Sequence, residues 1–328
     1  MKNNIKYAVL ILLAGIFLAG CLRDEMDLPA GYKVTVSAGG VNFAMAYVPG
    51  GITFPTGTND TGTATVANAY WIGETEVTYE LWYTVRTWAV ANGYTFANSG
   101  REGSNGIDGG PLSSAMQEPA TYINWRDSMV WCNALTEWHN VQEGTTFDCV
   151  YYTDSNCTML QKNSYDGSYG ASLNPNAGGF DAPYVKTDAT GYRLPSSSEW
   201  ELAARYKDGK NWTSGSWASG GTGPKTLDAE INYTNFSPFA WYGNNVFPVG
   251  NATTTKVVRG RVANALGLYD MSGNAYEWCF EWYTSGDKRM LRGGSFTDDP
   301  TSSQVGFEAG NYPYHAANNR GLRIARSH

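Results

Sequence analysis

The chain has 328 residues with 23 basic against 30 acidic side chains, a formal net charge of −7. An acidic balance of this kind lacks the basic footprint that nucleic-acid binding needs, so nucleic acid is excluded as a partner. Charged residues make up 16% of the chain while Gly (38), Tyr (22) and Trp (12) are abundant, which excludes disorder and favours aromatics packed under glycine-shaped loops over long helices.

Lys2 and Lys6 form a basic start, and Tyr7 to Phe17 is an apolar run too short to span a bilayer as a mature helix. Leu18-Ala-Gly-Cys21 follows, a small-residue cleavage site ending in cysteine that resembles a bacterial lipobox. That resemblance implies a signal peptide over residues 1–20 and lipidation of Cys21, the competing reading being an ordinary secretory signal with an incidental cysteine. Several acyl chains on one residue would hold the protein on a lipid bilayer, each buried methylene contributing about 0.8 kcal/mol. Residues 21–32, with Pro29 and Gly31, read as a short polar tether. The expected location is therefore a bacterial membrane, with the outer membrane and cell surface favoured.

Val34–Val36 and Phe43–Val48 read as strands either side of Gly39-Gly40, and Pro49-Gly-Gly51 turns the chain into Ile52–Phe54. Tyr70–Ile72 reads as a further strand. Thr78 is a candidate N-cap for a helix whose apolar face is Leu81, Trp82, Val85, Trp88 and Ala89. A second helix starts at Asn124, with Asp127 complementing its N-terminus and Met129, Cys132 and Leu135 as its core stripe. Residues 140–190 read as an elaborated loop region. Ser196 with Glu199 is a capping box for a third helix that buries Trp200, Ala203 and Ala204. No repeat of solenoid period and no internal linker are visible, so residues 33–328 are expected to form one domain.

Beyond Cys21 there are four cysteines. Cys149 and Cys157 flank a strand–turn–strand pattern that could bring them face to face, so they are either bridged or free thiols. Cys132 and Cys279 lie in apolar patterns and read as buried, inert thiols.

Six blocks then occur in order: Pro49-Gly-Gly51; Glu76-Val-Thr78; Tyr192-Arg-Leu-Pro195 with Glu199-Trp200; Gly267-Leu-Tyr-Asp270 with Gly273-Asn-Ala-Tyr-Glu-Trp278; Arg292-Gly-Gly-Ser-Phe296; and Gly321-Leu-Arg323. Together they resemble the formylglycine-generating-enzyme, or sulfatase-modifying-factor, family. The resemblance implies an α+β C-type lectin-like fold with a small antiparallel core and much irregular structure. Enzymes of that family hold copper through two cysteines. The matching positions here are Asp298 and Ser303, and no cysteine follows Cys279. A carboxylate and a hydroxyl cannot replace two soft thiolates, so no catalysis and no required cofactor are expected. His139, His315 and His328 have no ligand spacing between them. Asp270, Gly273, Ala275 and Glu277 match a structural calcium site of the family, a hard oxygen cage suited to Ca²⁺. The alternative is that Asp270 and Glu277 form hydrogen bonds or pair with an arginine such as Arg292 or Arg323. A second calcium site of the family would need a donor near Asn232, where the flanking loop is too divergent to carry over.

The C-terminal segment, about 283–326, carries a second resemblance, to the variable proteins of diversity-generating retroelements. Those systems randomise Asn codons, reaching residues such as Asn, Tyr, Ser, Thr, Asp and His. Thr297, Asp298, Asp299, Ser302, Ser303, Asn311, Tyr312, Tyr314, His315, Asn318 and Asn319 belong to that set, whereas Gln304 and Glu308 fall outside it and read as framework. The implied function is a non-catalytic surface lipoprotein that binds a protein or other cell-surface ligand through this patch. The runner-up is a structural or assembly lipoprotein of the envelope without diversification.

Overall fold

The computed structural model describes residues 28–165, 167, 172–226, 234–243 and 251–328. Cys21, the signal segment and Asn232 lie outside the described residues. Strands β1 (Lys33–Ala38), β2 (Val41–Val48), β3 (Ile52–Thr56), β4 (Gly62–Val66) and β5 (Tyr70–Gly73) precede helix α1 (Tyr79–Ala91). Strands β6 (Arg101–Glu102) and β7 (Ala120–Thr121) lead to α2 (Trp125–Glu143), and β8 (Tyr151–Tyr152), β9 (Tyr184–Val185) and β10 (Tyr192–Arg193) lead to α3 (Ser197–Arg205). The chain closes with β11 (Tyr276–Thr284), β12 (Lys288–Arg292), β13 (Ala309–Asn311), β14 (Arg320–Leu322) and β15 (Ala325–Ser327).

The first sheet runs β1-β2-β5-β15-β10, so the last strand of the chain is inserted beside the earliest ones. Gly39 and Gly40 form the turn between β1 and β2 with φ of +55° and +83°. Two left-handed residues in a two-residue loop match the twist of a hairpin, and only glycine takes both without strain. A Cβ on Gly39 would also stand 2.5 Å from the ring of Trp138. The second sheet runs β13-β12-β11-β14, with β14 parallel to β11 and the other pairs antiparallel.

Helices α1, α2 and α3 start where their caps sit. Thr78 accepts from Leu81 N, while Asn124 with Asp127 and Ser196 with Glu199 each close a reciprocal capping box. Helices α1 and α2 meet through Trp82 and Trp131, stacked with ring centroids 5.4 Å apart. That pair belongs to a large core filled from α1, α2 and the first sheet. A second core gathers Trp200, Leu202 and Ala203 of α3 with Leu268, Met271 and Cys279.

The long loops after α2 hang from one buried amide. Asn133 donates from Nδ2 to the carbonyls of Tyr151 (2.8 Å) and Gln161 (3.1 Å) and accepts at Oδ1 from the N–H groups of Val150 and Tyr151 (3.2 Å each). All four hydrogen-bonding positions of the amide are thus used inside the core, where an unmet group is costly. The hairpin expected around Cys149 and Cys157 forms, but in a register that keeps them apart. Tyr152 bridges Leu160, which puts the position opposite Cys149 beyond Cys157, and Cys157 sits on the turn with φ +53°. Both are free thiols, which corrects the bridged reading: the register, not the spacing, decides. Burial pushes the Cys149 thiol up to about 12, and it raises those of Cys132 and Cys279 as well, so these thiols stay protonated.

Candidate functional site: a loop face on an arginine-bolted frame

The C-terminal loops rest on four buried arginines. Arg292 donates to Ser197 Oγ (2.9 Å), Glu201 (2.7 Å), Glu308 (2.8 Å) and the Phe307 carbonyl (3.1 Å), tying α3 to the loop that follows β12. Arg126 pairs bidentately with Asp181 at 2.6 and 2.7 Å. Arg323 grips Glu277, both side chains fully buried, with Nη2 2.7 Å from Oε1 and Nε 2.9 Å from Oε2. Arg289 lies between the rings of Trp125 and Trp282, 3.9 and 3.7 Å from their centroids, and donates to the carbonyls of Phe280 and Asp181.

Gly293 and Gly294 then turn the chain out of β12 with φ of +89° and +71°. A Cβ on Gly294 would come within 2.6 Å of Ser302 O and Ser303 Oγ, so the loop folds directly back on this glycine. Ser303 is fully buried. It therefore does not belong to the exposed face, which corrects its place in the expected patch; its position under Gly294 makes it part of the frame. Gln304 is also buried, and the exposed Glu308 accepts from Arg292.

The remaining patch residues are at or near the surface. Thr297 and Asp298 are half-buried, and Asp299 is exposed. Asn319 Nδ2 donates to Thr297 Oγ1 (3.1 Å), linking the two loops of the face. Asp298 accepts from Ser295 Oγ, and burial raises its carboxyl above the ordinary range. Asn311, at the edge of the second sheet, caps the next turn by accepting at Oδ1 from Tyr312 N (2.8 Å). Beyond it Tyr312, Tyr314 and His315 form a cluster. The two tyrosine rings stack at 5.4 Å, and His315 stands edge-on to both at 5.3 and 4.9 Å. Lys288 lies over Tyr312 and Arg126 over Tyr314. Ser302 is half-buried, and His315 and Asn318 are exposed. The face thus presents aromatic contact area among small hydrogen-bonding side chains, on loops above a rigid frame.

The family resemblance points to two further places, the positions of the copper ligands, where no copper site is expected, and the calcium-matching loop. At the positions of the family's copper ligands stand Asp298 and the buried Ser303, and among the described residues no group of three or more His, Cys, Asp or Glu side chains is placed to hold a metal. At the calcium-matching loop, Glu277 is committed to Arg323 and to Trp200 Nε1, which donates to Oε2 at 2.5 Å. This is the arginine alternative for Glu277. Asp270 differs: Oδ2 accepts from Arg259 N at 2.8 Å, while Oδ1 is buried with no hydrogen-bond partner among the described residues. Burial pushes the Asp270 carboxyl up to about 6. Glu76, which the sequence reading did not place in this site, lies beside it and accepts from Asn274 Nδ2 and Ala275 N at 3.2 Å each. Burial, then the charges of Asp270 and Glu277, hold its carboxyl well above the ordinary range.

Residues 33–328 match the family described as the sulfatase-modifying factor enzyme 1-like domain. The chain belongs to that family, and its fold is the C-type lectin-like α+β fold of formylglycine-generating enzymes. Among solved structures it is similar to Treponema denticola variable protein 1, at 25% identity and a TM-score of 0.62, covering 90% of this chain and 99% of that one. It is also similar to CarF, at 25% identity and a TM-score of 0.65, covering 87% and 98%. Among curated proteins it is 26% identical over 226 residues to the chaperone protein LppX of Paenibacillus barcinonensis, covering 64% of this chain and 70% of that protein. It is 33% identical over 154 residues to the inactive Cα-formylglycine-generating enzyme 2 of Mus musculus, covering 42% of this chain and 44% of that protein. The chain thus spans less than half of the mouse protein's length.

Proposed function

We propose that this protein is a non-catalytic, lipid-anchored surface protein that binds a ligand, in the first place a protein, through the face made by Thr297, Asp298, Asp299, Ser302, Asn311, Tyr312, Tyr314, His315 and Asn318. The observation that carries this reading is the Tyr312–Tyr314–His315 cluster, standing partly in solvent on loops whose feet are fixed by buried arginines. Tyrosine gives contact area at low entropic cost, and Asn, Ser and Thr give adaptable hydrogen bonds. Similarity to a protein named for its variability supports exchange of these side chains. Similarity to an inactive member of the family, and the absence of a cysteine after Cys279, support the loss of copper oxidation. A titration with Cu(I) should show no tight binding; stoichiometric uptake would restore an enzymatic reading.

In this proposal Cys21 carries the lipid anchor and the protein sits on a bacterial membrane, at the outer surface. Mass spectrometry of the N-terminal peptide should find acyl chains on Cys21. The role requires no cofactor. For calcium, Asp270 with the carbonyls of Gly273 and Ala275 is the donor set we propose, with Glu277 held by arginine. Calcium should then raise the melting temperature over that in EDTA, and Asp270→Asn should remove the rise.

Diversification has a direct test. The coding segment for Tyr283 to Arg326 should have a near-copy nearby that differs only opposite template adenines, beside a reverse-transcriptase gene. Its absence would favour the second reading, a structural or assembly lipoprotein of the envelope, which the likeness to a chaperone protein supports.

A further inference from the structure

The arginines beneath the loop face all have acceptors, but two cations at its ends have none. Arg320 stands in β14 opposite Tyr276. It is partly buried, its Nε is shut off from solvent with no hydrogen-bond partner, and it makes no ion pair among the described residues. Lys288 stands in β12 opposite Thr284, its ammonium 5.5 Å from the centre of the Tyr312 ring, and it too makes no ion pair among the described residues. The acids of the same face do not serve these cations. Asp298 is close enough to act on Arg320 electrostatically, yet its carboxylate accepts from the hydroxyls of Ser295 and Thr297. Asp299 accepts from Thr301 N at 2.6 Å, and Asp181 is taken by Arg126. Asp287, on the turn before Lys288, pairs with neither cation. A half-buried guanidinium without an acceptor has given up water for nothing in return, which favours an incoming acceptor.

Tyr276 and Thr284 are the first and last residues of β11, which is 9 residues long. The strand positions of the two cations therefore lie roughly 25 Å apart at about 3.3 Å per residue. The aromatic cluster lies between them. Lys288 covers Tyr312 at one end, and at the other burial, then Arg320, hold the His315 imidazole below its ordinary value.

We propose that the partner is a protein presenting two separate carboxylate side chains, one to Arg320 and one to Lys288, with its apolar contact on the Tyr312–Tyr314–His315 cluster between them. This rests on the reading of the loop face as the binding surface. A single phosphate or other small anion needs cations that converge, and these two do not. A continuous polyanion would meet Asp287 and Asp299 on a chain of net charge −7, so the complementary charges must be placed singly among neutral groups. Arginine forks a carboxylate bidentately, and tyrosine and arginine are the side chains that most often anchor protein interfaces.

The full chain is panned against a displayed library of random peptides long enough to reach both cations, and the selected peptides serve as probes. They should be enriched in Asp and Glu at two separated positions. Arg320→Gln and Lys288→Gln should each weaken their binding about tenfold and reduce its salt dependence, with an unchanged melting temperature. Should Arg320→Gln fail to fold, Lys288→Gln alone carries the test. Tyr314→Ala separates this proposal from the reading beneath it. Peptides that lose binding to Tyr314→Ala but lack acidic enrichment, or that bind both cation variants undiminished, overturn the acidic partner and leave the face standing. Peptides indifferent to Tyr314→Ala as well as to the cation variants overturn both. Displacement of the peptides by inorganic phosphate at matched ionic strength would point to a phosphoryl ligand and also overturns the acidic protein.

Discussion

Glu277 and Arg323 show how much a single buried charge can decide. Both are fully buried, and the pair is bidentate. Arg323→Met would leave a carboxylate in the core with Trp200 Nε1 as its remaining donor, and breaking such a pair costs about 3–5 kcal/mol. Urea unfolding should show that loss, whereas Lys210→Met on the exposed surface should stay near zero. His139 supplies a pH dependence. It stacks on Phe147 at 5.3 Å, and burial, then Arg326, hold its imidazole below the ordinary value of 6.5. The unfolded chain therefore binds a proton that the folded chain refuses as pH falls through about 6.5. Stability contributed by neutral His139 is complete above that pH and is lost below it, so His139→Gln should flatten this part of the stability profile. The sequence made some of these residues legible. Arg323 as a candidate partner of Glu277 followed from the motif blocks, because both sit in fixed short patterns. Glu76 as a neighbour of Asp270, and Asn133 as the hub of the loops, were not legible, because each acts across a separation in sequence that leaves no periodic trace.

At the scale of elements, caps and hairpin turns carried most of the information. Helices α1, α2 and α3 start at the expected N-caps, since a cap depends only on one side chain and the turn that follows it. Asn124→Ala removes one half of a capping box and should destabilise the protein by about 1 kcal/mol, read as a shift in urea midpoint at constant slope. Strand β4, Gly-Thr-Ala-Thr-Val, was not legible because its inward face carries only Ala64 and Val66, an alternation too short and too small to stand out among the neighbouring polar residues. The Cys149–Cys157 pairing failed for a related reason: spacing suggested a hairpin, but register is fixed by the Tyr152–Leu160 bridge and by Asn133. Ser303 belongs here too. Its residue type fits the exchangeable set, yet Gly294 folds the loop over it, and residue type carries no information about that fold-back.

For the whole molecule, the fold sets a clamped frame beside a loop face, the division that the proposed function needs. The closing strand β15 locks into the first sheet between β5 and β10, and Arg292, Arg289, Arg126 and Arg323 clamp the segment before it. Between these fixed points the loops carry small polar and aromatic side chains, among them the Asn319–Thr297 hydrogen bond and the stacked Tyr312 and Tyr314 rings. The most direct test is a library randomised together at Thr297, Asp299, Ser302, Asn311, Tyr312, Tyr314, His315 and Asn318, displayed on cells and sorted by protease resistance. The account predicts that most members stay folded with resistance close to the parent, while a matched library at Ser303, Glu308, Arg292 and Arg323 collapses. If the first library unfolds as widely as the second, these side chains are part of the core and the exchangeable face does not exist.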